Sequence, residues 1–193
     1  MHDVDTLYKA IRAWAENQGI AVSEKSLRSD LAGHFNGTSM TMNPSFSVEE
    51  RAYYLVHALG SIALWSKDKE QVQQIYDELR DAKETDSAAT DKLQRAIEKY
   101  RAFEISSSEL AVWLLKSLGA NDAIHSYTNF MRADLESMTQ FHRTGKAPKW
   151  QDFFSDWNRQ VETGQRHPAP FHSRPIPPFA PQLIERQEIK QQQ

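Results

Sequence analysis

Cysteine is absent from the 193 residues. That removes disulfides, thiol nucleophiles and every cysteine-ligated zinc or iron–sulfur centre. It also suits a reducing compartment, so a cytoplasmic setting is the expectation. An excess of charge of one sign is missing as well: 23 Lys and Arg against 26 Asp and Glu leave a formal net charge of -3. With no basic surplus to neutralise a phosphate backbone, nucleic acid is not expected as a main partner. No stretch approaches the ~20 apolar residues that a membrane span needs, and the mean hydropathy is -0.67. No membrane association is expected. The opening residues Met1-His2-Asp3-Val4-Asp5 carry acid where a secretory leader carries base. No internal repeat is visible.

What is present reads as an α+β chain, mostly α. Val4, Leu7, Tyr8, Ile11 and Ala15 follow helical spacing over residues 3–18, with Gly19 as the stop. A short extended piece, Ile20 to Val22, follows. Residues 30–43 read as a hairpin turning on Asn36-Gly37, with Thr38-Ser39-Met40-Thr41-Met42 alternating as a half-buried strand. Ser47-Val48-Glu49-Glu50 has capping-box spacing and opens a core helix from about Val48 to Trp65, with Ala52, Leu55, Leu59 and Ile62 on its stripe. A polar helix over 68–83 carries a narrow seam of Val72, Ile75, Tyr76 and Leu79. Residues 91–118 read as one long helix, or two joined near Ser106-Ser107-Ser108. Residues 121–143 make another, with Tyr127, Met131, Leu135, Met138 and Phe141 inward. Pro148 opens a last helix with an aromatic face: Trp150, Phe153, Phe154 and Trp157. Residues 1–164 are thus the expected domain.

From residue 165 onward the chain changes character. Six of the eight prolines lie between Pro168 and Pro181, which excludes helix and central strand and favours polyproline-type extension. Residues 165–193 read as a tail. Its apolar side chains, Phe171, Ile176, Phe179, Leu183 and Ile184, are available to dock on the body or on a second chain.

Two polar residues sit where apolar ones are expected. His57 lies in the core helix beside Tyr53, Tyr54, Gly60 and Ser61, its neighbours at three and four residues. Gly60 leaves a gap through which another backbone or a ligand can come close. Glu104 falls on the inward stripe Leu93, Ile97, Tyr100, Glu104, Ala111, Leu114, Leu118. A buried carboxylate needs a base, a donor or a metal, and His57 is the candidate partner. A plain buried hydrogen bond satisfies the same need, as does a Glu104 that reaches outward.

These segments resemble the ImmA/IrrE family of zinc metallopeptidase-like proteins. Phe35-Asn36-Gly37-Thr38-Ser39-Met40-Thr41-Met42-Asn43-Pro44 is similar to the family's edge strand running into Asn-Pro. Arg51-Ala52-Tyr53-Tyr54-Leu55-Val56-His57-Ala58-Leu59-Gly60-Ser61 resembles its R-x-x-x-x-L-A-H-E-L-G-H helix. Glu104 to Ala111, with Leu114-Leu115, resembles its E-x-x-A-N-x-F-A-x-x-L-L helix. The likeness covers roughly residues 3–118, with 66–92 resembling an insertion. It implies a zincin-like helical core with a small hairpin or sheet before the motif helix. In the family, two histidines four apart and a later glutamate hold zinc, and the residue after the first histidine is the general base. Here His57 takes the first histidine's place and Glu104 that of the glutamate. Ala58 stands at the general base and Ser61 at the second histidine. Alanine accepts no proton, and a serine hydroxyl is a poor zinc ligand. The resemblance therefore implies a vestigial site at His57, Ser61, Glu104 and Tyr54, with no cofactor expected. If any metal is held, His57 and Glu104 hold it.

The other candidate ligands for completing a zinc site, His34 and His125, have no spacing in their favour. A Ser61–His57–Glu104 triad can be written, but mid-helix Ser61 has no sharp turn to expose it and no free oxyanion donors. His167 and His172 are isolated among prolines. The leading expectation is a non-catalytic binding or regulatory protein with a protein or peptide partner. The alternatives are a zinc-dependent hydrolase with an altered ligand set, and a structural module dimerising through residues 150–193.

Overall fold

The structure, a computed structural model, describes residues 3–28, 31–36, 39–84 and 89–177. Helix α1 (Val4–Asn17) starts where the Asp3 carboxylate accepts from the Thr6 backbone N–H at 3.2 Å and from its hydroxyl at 2.9 Å. Its stripe of Leu7, Tyr8, Ile11 and Ala15 is buried, and Gly19 follows at φ 81°, where a helix ends without steric cost.

Strands β1 (Ala21–Glu24), β2 (Gly33–Phe35) and β3 (Ser39–Met42) form one sheet in the order β1-β3-β2. β2 and β3 make the expected antiparallel hairpin, Phe35 opposite Met40; β1 pairs in parallel with the other side of β3, Val22 opposite Met40. Met40 and Met42 face the core, as the alternation predicts. The turn differs from its expected position. Asn36 N–H donates to the Ser39 carbonyl at 3.1 Å, and Asn36 Oδ1 accepts from Ser39 N–H at 2.8 Å. Asn36 is therefore the last paired residue, not a central turn residue; Gly37 and Thr38 lie outside the described residues. Past β3, buried Asn43 ties down the preceding loop, its Nδ2 donating to the Leu31 carbonyl at 3.0 Å.

Helix α2 (Val48–Lys67) has both bonds of its capping box, between Ser47 and Glu50. Ala52, Leu55, Leu59 and Ile62 are buried along it. α3 (Lys69–Glu84) packs on the first half of α4 (Ala89–Ser117), around Leu79, Ala82, Ala96, Ile97 and Tyr100. This second cluster joins α3, which lies within residues 66–92, to the part of α4 that follows. α4 runs unbroken through Ser106-Ser107-Ser108. A 3-10 turn (Asn121–Ala123) leads into α5 (Ile124–Thr144), and α6 (Trp150–Glu162) completes the helices. The main core joins α1, the sheet, α2, the second half of α4, and α5. Among the described residues no helix is long and apolar enough to cross a membrane.

The aromatic face of α6 is used within the chain. The Trp150 and Phe154 rings lie 5.3 and 5.4 Å from the Phe130 ring, and buried Trp157 donates through Nε1 to Asn129 at 2.8 Å. Beyond α6 the described chain, through residue 177, has no helix or strand, as its prolines require, yet it is docked: Phe171 is buried in the main core and Ile176 packs against it. Phe179, Leu183 and Ile184 lie outside the described residues.

α2 and α4 meet at one narrow point. A Cβ added to Gly60 would lie 2.2 Å from the Ser107 carbonyl oxygen, so only glycine permits the approach. Gly60 is three residues past His57, and Ser107 three past Glu104. The backbones touch one turn beyond the two side chains, which brings those side chains together.

Candidate functional site

His57 and Glu104 face each other across the α2–α4 contact, His57 Nε2 lying 2.8 Å from Glu104 Oε2, with both side chains largely covered. The other ring nitrogen is engaged as well: Ser108 Oγ, one turn along α4 from Glu104, lies 3.2 Å from His57 Nδ1. A neutral imidazole satisfies both contacts by donating from Nε2 to the carboxylate and accepting the Ser108 hydroxyl at Nδ1. Glu104 thus resolves as the paired buried carboxylate, and it does not reach outward.

The remaining places on the motif helix are spent structurally. Ser61 Oγ donates to the carbonyl of His57 in its own helix at 3.3 Å, and Ala58 packs against the core. No hydrogen bond joins Ser61 to the imidazole among those the structure shows, so the serine of the relay is Ser108. That hydroxyl is buried mid-helix, with no sharp turn to present it to a carbonyl substrate. Tyr54, one turn before His57, donates its hydroxyl to Asp134 of α5 at 3.0 Å.

Asp134 was not singled out in the sequence, although the reasoning that finds Glu104 also reaches it. It lies three residues past Met131, four past Phe130, seven past Tyr127 and four before Met138, on the inward stripe of α5. It lines one cavity with His57, Glu104, Tyr100 and Ser108. Burial pushes its carboxyl up from 3.8 to about 6, partly opposed by the nearby imidazole and by the Tyr54 hydrogen bond. Burial also holds the Tyr54 and Tyr100 phenols well above their ordinary value, so both stay neutral donors. The cavity has room for about one water. It holds an acid–base network closed to any peptide.

The chemistry of these donors does not fit a zinc ion. The imidazole nitrogen and the carboxylate oxygen that would bind it bind each other, Ser61 faces its own backbone, and Asp134 is turned to Tyr54. Among the described residues no group of three or more His, Asp or Glu is placed to hold a metal. His34 on β2 and His125 at the start of α5 are exposed and line no part of this cavity; His167 and His172 are exposed along the extended segment.

A further buried imidazole also escaped the sequence reading. His142, in the last turn of α5, is 9% exposed, and neither ring nitrogen has a hydrogen-bond partner. It packs edge-on to Tyr100 at 4.9 Å. Burial pushes its ionisation down from 6.5 to about 4, helped by the Lys83 charge. Its signal was available: it sits one helical turn past Met138 on the same stripe. Comparison with protein-family models, with curated proteins and with solved structures returned no match.

Proposed function

We propose that the chain is a non-catalytic relative of the ImmA/IrrE metallopeptidases, with a zincin-like helical core, that works as a binding or regulatory module for a protein or peptide partner in the cytoplasm. The observation that carries this reading is the 2.8 Å contact between His57 and Glu104. The two groups that resemble zinc ligands stand on facing helices and are hydrogen-bonded to each other. Ala58 at the general-base place and Ser61 at the second-histidine place support the loss of hydrolysis. So does the water-sized cavity, which leaves no room for a scissile bond beside the imidazole. The regulatory part of the reading comes from the resemblance alone.

The experiment is a restoration. Ala58→Glu combined with Ser61→His returns the missing base and ligand at positions set by helix pitch. The wild type, purified without chelator, should hold far less than one zinc per chain and the double variant close to one. A folded double variant without zinc would break the correspondence of these helices with the family's. Stoichiometric zinc in the wild type would instead favour a zinc-dependent hydrolase with an altered ligand set.

A further inference from the structure

The segment after α6 is more than a tail. Among its described residues Phe171 is the only buried one, and the ring lies against Tyr127 and Arg132 of α5, the guanidinium 4.0 Å from its centre. Arg132 Nε donates to the Ala169 carbonyl at 2.8 Å. On α4, the Glu109 carbonyl accepts from Arg174 N–H at 3.2 Å, and the Glu109 carboxylate lies 4.0 Å from the Arg174 guanidinium. The α4–α5 surface therefore reads an extended main chain through two backbone-directed bonds. It adds one pocket for an aromatic ring and one acid for a base three residues later. Pro168, Pro170, Pro175 and Pro177 keep the segment extended, which lowers the entropy lost on docking.

We propose that this surface of α4 and α5 is a peptide-docking site, occupied in cis by residues 168–177. Its external ligand is a protein segment of the same chemistry: extended, proline-flanked, with an aromatic anchor followed three residues on by arginine or lysine. The cis segment is a competitor that can leave, because one buried ring, the partly buried Ile176, two main-chain bonds and one long ion pair hold it while most of its side chains are exposed. Phe171 also packs against fully buried Tyr127, the ring centroids 6.3 Å apart. The proposal rests on the reading of the chain as a binding module but not on its zincin ancestry.

The test uses full-length protein and a labelled peptide of residues 167–177, followed by fluorescence polarisation. Phe171→Ala empties the aromatic pocket, so this variant should bind the peptide at least ten-fold more tightly than the wild type does. A peptide carrying the same Phe171→Ala change should bind neither protein. No binding to the variant, equal binding to both proteins, or equal binding of the altered peptide would overturn the proposal. Should circular dichroism show the variant unfolded, hydrogen exchange on wild type with excess peptide decides. Faster exchange at the Arg174 amide with unchanged α4 and α5 supports displacement, and an unchanged Arg174 rate refutes it. Wild-type dimers that dissociate on adding peptide would assign the occupant to a second copy and overturn the cis arrangement. Failure here would leave the zinc-restoration result untouched, and the reverse holds too.

Discussion

His57 and Glu104 satisfy each other in a place where either alone would be a buried polar group without a partner. Removing one partner should cost about 1–3 kcal/mol, the usual desolvation penalty of an orphaned group. Removing both should cost clearly less than the sum. Urea denaturation of Glu104→Leu, His57→Leu and the double variant measures this; strict additivity would mean that the two groups do not depend on each other. Asp134 and His142 contribute to the pH response in opposite directions. Folding holds the Asp134 proton up to about pH 6, where the unfolded carboxyl, at 3.8, has lost it; its contribution falls as pH rises through that window. Folding keeps His142 neutral down to about 4, where the unfolded imidazole, at 6.5, has taken a proton; its contribution rises with pH. The two oppose each other. Asp134→Asn should therefore leave a protein whose melting temperature climbs between pH 4.5 and 6.5, and His142→Phe one whose melting temperature declines over the same range. Slopes of the same sign in both variants would contradict these assignments.

At the scale of elements, the contact between Gly60 and Ser107 does the positioning. Gly60→Ala places a methyl group 2.2 Å from a carbonyl oxygen of another helix's backbone, so α2 and α4 must separate. A loss of at least about 2–3 kcal/mol is expected in chemical denaturation, within the range of overpacked cores. At Gly33 the nearest obstruction is the flexible end of Met40, at 2.7 Å, and Gly33→Ala should cost less. A smaller loss at Gly60 than at Gly33 would mean that the helices are not pinned there. The elements were largely legible, since Ser47-Glu50 marked the start of α2, Gly19 the end of α1, and the stripes named the buried faces. The turn between β2 and β3 was read one residue early: Asn-Gly preference points to Asn36-Gly37, whereas the β2–β3 register closes on Asn36 and Ser39. The parallel pairing of β1 was not legible, since a four-residue strand carries no mark of its neighbour. Glu104 could be found because it interrupts an apolar stripe. Asp134 and His142 interrupt the stripe of α5 in the same way, so the same reasoning reaches them.

For the whole molecule, the order of elements and the His57–Glu104 juxtaposition belong together: a capped helix and a later helix cross where a small residue allows contact, and two groups that resemble metal ligands close on each other. The docking of residues 165–177 was only half legible, because proline content announces extension and says nothing of the surface it lies on. The decisive measurement is a crystal structure of the Ala58→Glu, Ser61→His variant grown with zinc, with anomalous scattering recorded at the zinc edge. A single peak about 2.0–2.2 Å from His57 Nε2 and from a Glu104 oxygen is the expected result. A well-folded variant with no peak between α2 and α4, or a wild-type crystal with a full peak there, would contradict the reading of this centre as a dismantled metal site.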